Sequence, residues 1–395
     1  MQRPFINRIR RLRDDERGMS LVYLAIGFMT FMAASTLAVD VGMFMTARSQ
    51  AQNAADAGAL AGAVALTRNS WTDRTAAGPA VQGAMSTAKK NVIIGGVPSV
   101  LTSDVTFPND PTGNPTRVRV KVYRTAARNT ALPTLIGPLL GVPSVDIAAS
   151  ATAEVSPANA MTCVKPFMIP DKWVENVDAK GKATGTWSPS SEYNAFDSKG
   201  VPLTNPDAYH DANAGNYSGY TVANDVGKHL TLRAGTGDEI NPSFYYSWKM
   251  PGDTGGDFYR ENIANCNTSL MKWGDAITQE PGAMNGPTIQ GIDELIAKDP
   301  AAQWDTSCNC VINSKFGTNS PRVFPIPLYD PAFYAVGKAN GRVADFRIAN
   351  FLGFFVSDTA GNSIRGYVTN IVGVVKADAG PAPANAFPKA IRLVQ

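Results

Sequence analysis

Hydrophobic and polar positions divide this chain sharply near its start. Residues 18–39 (GMSLVYLAIGFMTFMAASTLAV) carry no charged side chain. At about 1.5 Å rise per helical residue the run reaches roughly 33 Å, against about 30 Å for the hydrocarbon core of a bilayer. The pattern predicts a single transmembrane helix over 18–39. A buried core helix is one alternative, and a cleaved secretory signal is another. A signal has a shorter apolar region followed by a small-x-small site, whereas here Ala33-Ala34-Ser35 lies inside the run. An uncleaved anchor is therefore expected.

The helical pattern continues past Val39. Residues 40–66 contain no proline and are dominated by alanine, the strongest helix former. Ala47, Ala51 and Ala55 are spaced by four, as are Ala54, Gly58 and Gly62, and again Ala57, Ala61 and Ala65. Small residues at that interval let another backbone come close. The face could pack on the chain's own sheet or on a partner subunit. Residues 78–91 read as a second short helix. Residues 100–107 and 116–123 alternate with period two, as half-buried strands do, and the proline-, asparagine- and glycine-rich residues 108–115 between them read as a turn. Residues 131–141 are expected as a proline-interrupted helix and 145–155 as a further strand.

Near Pro157 the chain changes character, with frequent Gly, Pro, Asn and Asp and most of the aromatics. Strands are expected at 163–169, 229–233, 243–249, 322–328, 346–356 and 366–375, and a helix at 288–298 beginning just after Pro287. Residues 321–331 (PRVFPIPLYDP) are too proline-rich for a central strand, so an edge strand is expected there. The fold class is α+β: a transmembrane helix continuing into an α/β module over 40–157, then a β-rich α+β domain over 158–395.

Charge adds an orientation. Arg3, Arg8, Arg10, Arg11, Arg13 and Arg17 precede the apolar run, together with Asp14, Asp15 and Glu16. Lysine and arginine stay cytoplasmic, so residues 1–17 form a cytoplasmic leader and the bulk of the chain lies outside the cytoplasm. With six arginines in the leader and a net charge of +3 overall, the remainder is close to neutral, which argues against a nucleic-acid partner. The four cysteines, Cys163, Cys266, Cys308 and Cys310, all follow the run and suggest two disulfides, with three possible connectivities. A Cys308–Cys310 bridge would close a very small ring, so each is expected to pair elsewhere.

The order of these features resembles a known family. A basic leader runs into Gly18, the apolar helix closes on LAVDVG (37–42), and ARSQAQNAADAGALAGA (47–63) follows. This is similar to the N-terminal module of the TadE/TadG-like proteins of the Tad (Flp) pilus machinery, over roughly residues 1–155. The resemblance implies a membrane-anchored, pilin-like accessory protein of a bacterial inner membrane, whose partners are other Tad/Flp pilus or secretion subunits. Prepilin peptidases cut after a glycine and favour glutamate five residues on. Here the fifth residue after Gly18 is Tyr23, which places the chain nearer the larger, unprocessed TadG-like branch. The von Willebrand A-type metal motif of some TadG-like proteins is not matched by Asp305-Thr-Ser-Cys-Asn or Asp358-Thr-Ala-Gly-Asn.

No catalytic, cofactor-binding or metal residue is expected. The chain has no HExxH, G-x-S-x-G or phosphate-binding glycine loop. His210 and His229 are isolated. Asp253, Asp257 and Glu261, with Asp238 and Glu239 nearby, could pair as glycosidase carboxylates. Asp207, Asp211, Asn213 and Asn216, or Asp253 with Asp257, could hold calcium, yet neither has EF-hand spacing and solvated turns explain both. The expected role is a non-enzymatic structural subunit. An anchored surface adhesin is the alternative, and an anchored hydrolase stands behind both.

Overall fold

The computed structural model describes residues 17–68, 73–111, 113–178, 180–235, 237, 239–282, 284–339 and 345–394. The leader's arginines before Arg17 and its three acids fall outside this set, as does Asp238. Helix α1 (Arg17–Arg68) runs unbroken for 52 residues, about 78 Å at the usual rise. Its two halves differ. From Met19 to Ser35 every residue is exposed, Leu24 at 74%. From Asp40 onward one side is buried, with Ala47, Ala51, Ala54, Ala55, Ala59 and Ala63 all fully covered.

That buried side lies on α2 (Pro79–Lys90) and on a four-stranded antiparallel sheet. The strands are β1 (Val105–Thr106), β2 (Arg117–Arg124), β3 (Ile147–Pro157) and β11 (Lys389–Val394), in that order across the sheet. Alternation in RVRVKVYR turns Val118, Val120 and Val122 to the helices and Arg119 and Lys121 to solvent. The alanine spacing serves this intramolecular contact. A Cβ on Gly62 would lie 2.8 Å from Val118 Cγ1, and one on Gly58 would lie 3.0 Å from Ala88 Cβ.

Three findings differ from the pattern-based expectation. Residues 100–107 are not one strand: Thr102–Asp104 forms a 3-10 turn and only Val105–Thr106 is strand. Residues 131–141 form no α-helix: Leu132–Pro133 pairs with Ser144–Val145, and a 3-10 turn (Gly137–Leu140) closes the hairpin. Its apolar residues imitate a helix repeat, but Gly141 sits at φ 79° and Pro133 and Pro138 interrupt any helical ladder. The chain's last strand also returns to this sheet rather than staying with the downstream domain, β11 pairing with β3 from Lys389↔Pro157 to Val394↔Thr152.

Glu154 ties that last strand down, accepting from Arg392 Nη2 at 2.8 Å and from Arg117 at 2.6 Å. Burial pushes its carboxyl up, but the two guanidinium groups more than reverse this, so it titrates below its ordinary value. A lowered folded value means stability that is present above the ordinary carboxylate range and lost as pH falls through the folded value. Amide exchange at Lys389–Val394 is expected to accelerate as pH falls from about 5, and to go on doing so until pH is below the folded value, once intrinsic rates are divided out. Glu154→Gln should flatten that profile, and an unchanged profile would remove Glu154 as the tie.

The second unit is a closed barrel. Its strands are β4 (Phe167–Pro170), β5 (His229–Ala234), β6 (Phe244–Ser247), β8 (Val323–Tyr329), β9 (Asp345–Ala360) and β10 (Ser363–Val368), with β7 (Ala276–Thr278) flanking β9. The order β9-β8-β4-β6-β5-β10 closes because β10 also pairs with β9, leaving no free edge among these six. Rings of Tyr246, Tyr329 and Phe346 from the strands pack with Tyr334 of the helix Pro331–Ala339, Tyr334 and Phe346 stacking at 4.5 Å between centroids. Helices α3 (Gly256–Ala264) and α4 (Asn285–Lys298) lie outside, meeting where Gly291 leaves room for Ile263.

Strand β8 corrects the edge-strand expectation, since it lies between β9 and β4. Pro325 and Pro327 are tolerated for a geometric reason. The carbonyl of Pro325 accepts from Lys165 N on the β4 side, so its missing donor also faces that side, where pairing with β4 begins only at Leu328. The ladder to β9 therefore loses no donor.

The disulfides are Cys163–Cys266 and Cys308–Cys310. The second overturns the expectation that the two nearby cysteines pair elsewhere. They lie at the turn between Gln303–Asp305 and Cys310–Ile312, where Asn309 takes φ 49°. That left-handed residue brings the two Cα atoms to 5.2 Å, within disulfide range.

Candidate functional site: the apolar helix and its exit

The uncovered half of α1 has the polar bookkeeping that a lipid environment demands. The hydroxyls of Thr30, Ser35 and Thr36 each donate to the carbonyl one turn back, at 2.8 Å, so each is satisfied within the helix. Gly27 and Gly42 meet nothing within 4 Å where a Cβ would stand. This is a candidate membrane span, near the N-terminus, with none of its most apolar window buried among the described residues.

Asp40 marks the end of that half. It is 2% exposed, and its two carboxylate oxygens accept the backbone N–H groups of Leu135 (2.8 Å) and Ile136 (3.0 Å). A carboxylate flanked by Val39 and Val41 must find donors if it is buried, and the hairpin supplies them. One turn farther along, Thr46 donates to Gly42 O. Gln50 accepts Ile94 N at 2.7 Å, and Gln52 reaches Asp56 and Ser150 O. The LAVDVG and alanine-rich segments thus fix the helix to its module at successive levels.

The residues considered for chemistry stand apart. His210 lies in a loop held to Ser218, while His229 begins β5 and meets the ring of Tyr367 edge-on at 5.1 Å. Asp253 caps its own turn through Thr254 N, Asp257 and Glu261 are exposed on α3, and Asp257 sits 3.7 Å from Arg260. Asp207 is unavailable to a cation, because it is 3% exposed and its oxygens already accept Asn176 N, Val177 N and Asn194 N. Asp211 accepts Asn213 N in a surface turn, and Asn216 is exposed. Asp305 bonds Ser307, which holds its carboxyl below the ordinary value, and Asp358 pairs with Arg365 at 2.5 Å. Among the described residues no cluster of three or more metal-ligating side chains occurs.

The barrel domain does contain a buried acid that its sequence did not single out. Asp171 accepts Tyr217 OH (2.7 Å), Tyr209 OH (3.0 Å), Tyr220 N and Lys172 N. Burial pushes its carboxyl up to about 6 despite those bonds. Tyr217 also accepts from Asn350 on β9, so the group pins the loop over 209–220 to the barrel wall. The signal was an acid directly after the apolar strand FMIP.

Residues 18–65 match a family model described as "Putative Flp pilus-assembly TadE/G-like". The match takes in the uncovered apolar half of α1 and nearly all of its alanine-rich half. No curated protein and no solved structure matches the chain.

Proposed function

We propose, with the TadE/G-like character of residues 18–65 as the premise, that this chain is a non-enzymatic, membrane-anchored structural subunit of a Tad-type (Flp) pilus or related secretion apparatus. One observation carries the reading: the matched stretch unites a helix half that none of the described residues covers with a half whose small residues bind it to its own sheet. Residues 18–39 then span the bacterial inner membrane, residues 1–17 stay in the cytoplasm, and the remainder lies outside, where disulfides persist. The α1–α2–sheet module acts as a pilin-like stalk carrying the barrel. Tyr23 in place of the favoured glutamate supports an anchor that is kept, as in the larger TadG-like branch. The partners are other pilus subunits, met in the membrane and through the extracytoplasmic surface.

Deleting the gene is expected to abolish surface pili, and the full chain should restore them. A chain with Phe28→Arg and Phe31→Arg should not, because each arginine near mid-span costs about 2.5–3.5 kcal/mol on insertion scales. Normal pili together with failed surface attachment would replace this reading with that of an adhesin.

A further inference from the structure

The hairpin that receives Asp40 has a tip whose composition suits no aqueous loop. Its root is part of the core, with Leu132 buried and Val145 packed against the same cluster. Beyond the root, residues 135–143 (LIGPLLGVP) contain no polar side chain. Leu135 is 63% exposed and Val142 48%, and Pro138 is exposed between them. Surface turns are ordinarily polar, and an exposed apolar cluster marks a contact.

The tip is held in one shape. Val142 N donates to Gly137 O at 2.7 Å, and Thr134 Oγ1 donates to Val142 O at 2.6 Å. Gly137 cannot be replaced without opening it, since a Cβ there would lie 1.9 Å from Val142 O. Its position is also fixed, because Leu135 N and Ile136 N are bonded to Asp40, the residue directly after the apolar run. Val39 and Val41, either side of Asp40 on α1, are exposed as well. The first charged residues on either side of the tip along the chain are Arg128 and Asp146.

We propose that residues 135–142 enter the boundary between headgroups and acyl chains of the bilayer, beside the exit of α1. They form a second membrane contact, and two contacts a fixed distance apart set the angle at which the stalk leaves the membrane. The occupant is lipid because the tip is tied within one residue of the span's end. The proposal rests on residues 18–39 spanning the membrane.

The test uses the full chain in vesicles of phosphatidylethanolamine and phosphatidylglycerol, carrying a single environment-sensitive fluorophore on Leu135→Cys, Phe28→Cys or Val201→Cys. Val201 is an exposed site in the barrel domain. The Leu135 probe is expected to be blue-shifted and quenched several-fold more by nitroxide near the headgroup than by nitroxide deep in the acyl chain. The Phe28 probe should show the reverse preference, and the Val201 probe should respond to aqueous iodide alone. Iodide quenching of Leu135 equal to that of Val201, with Phe28 still lipid-quenched, would overturn the proposal while leaving the span intact. Protection of Leu135 from both iodide and nitroxide would assign the tip to a protein partner instead. Failure of lipid to quench Phe28 would remove the span and the proposal together.

Discussion

Gly62→Leu is expected to unfold the helix-on-sheet module at temperatures where the parent chain is intact. The site already brings Val118 Cγ1 within 2.8 Å, Ala84 Cβ within 3.2 Å and Ala80 O within 3.3 Å of the position a Cβ would take. A leucine adds three more carbons against the backbone of α2 and the middle of β2, neither of which can move without parting from the sheet. Overpacking of this kind costs about 3 kcal/mol, which corresponds to a fall of about 10 °C in melting temperature for a domain of this size. Gly27→Leu is the internal control, because a Cβ there meets nothing. Circular dichroism melts of the detergent-solubilised chain separate the two. Equal melting temperatures for the two variants would mean that Gly62 does not face the sheet.

The second large effect is expected from the cysteines, and it is unequal. Cys163–Cys266 closes a loop across a separation of 103 residues, joining the segment before β4 to the segment after α3. Removing a cross-link of that length by Cys163→Ser with Cys266→Ser is expected to cost about 3–5 kcal/mol, through the freedom returned to the unfolded chain. Cys308–Cys310 spans a separation of two and restrains almost nothing when unfolded, so the corresponding double serine variant should lose a small fraction of that. Urea midpoints of the two variants, measured under oxidising conditions, check the contrast. Equal losses would show that the stabilisation does not come from loop length.

What could be read from residue order alone was whatever repeats locally. The uncharged stretch 18–39, the four-residue spacing of small residues and the alternation in RVRVKVYR each report one element's own periodicity, and each is found where that periodicity puts it. Barrel closure was not legible, because the pairing of β9 with β10 depends on how six strands from distant parts of the chain arrange themselves. The proline-rich strand misled for a related reason: whether a proline costs a hydrogen bond depends on which neighbour its nitrogen faces. Residues 131–141 misled because an apolar hairpin tip and an apolar helix share a composition. The Cys308–Cys310 bridge turned on a single left-handed residue, Asn309. For the candidate site, the apolar run announced itself, while the partner of Asp40 lay 95 residues away and could be inferred only as a need for donors.

In the proposed arrangement α1 crosses the membrane uncut and carries everything from Asp40 onward on the side opposite its N-terminus. Protease treatment of spheroplasts, with the protected fragment sequenced by mass spectrometry, tests it most directly. One protected peptide is expected, retaining leader residues from 1–17 joined to 18–39, with the stalk and barrel digested. A protected peptide beginning at Met19, or a barrel protected together with the leader, would contradict it.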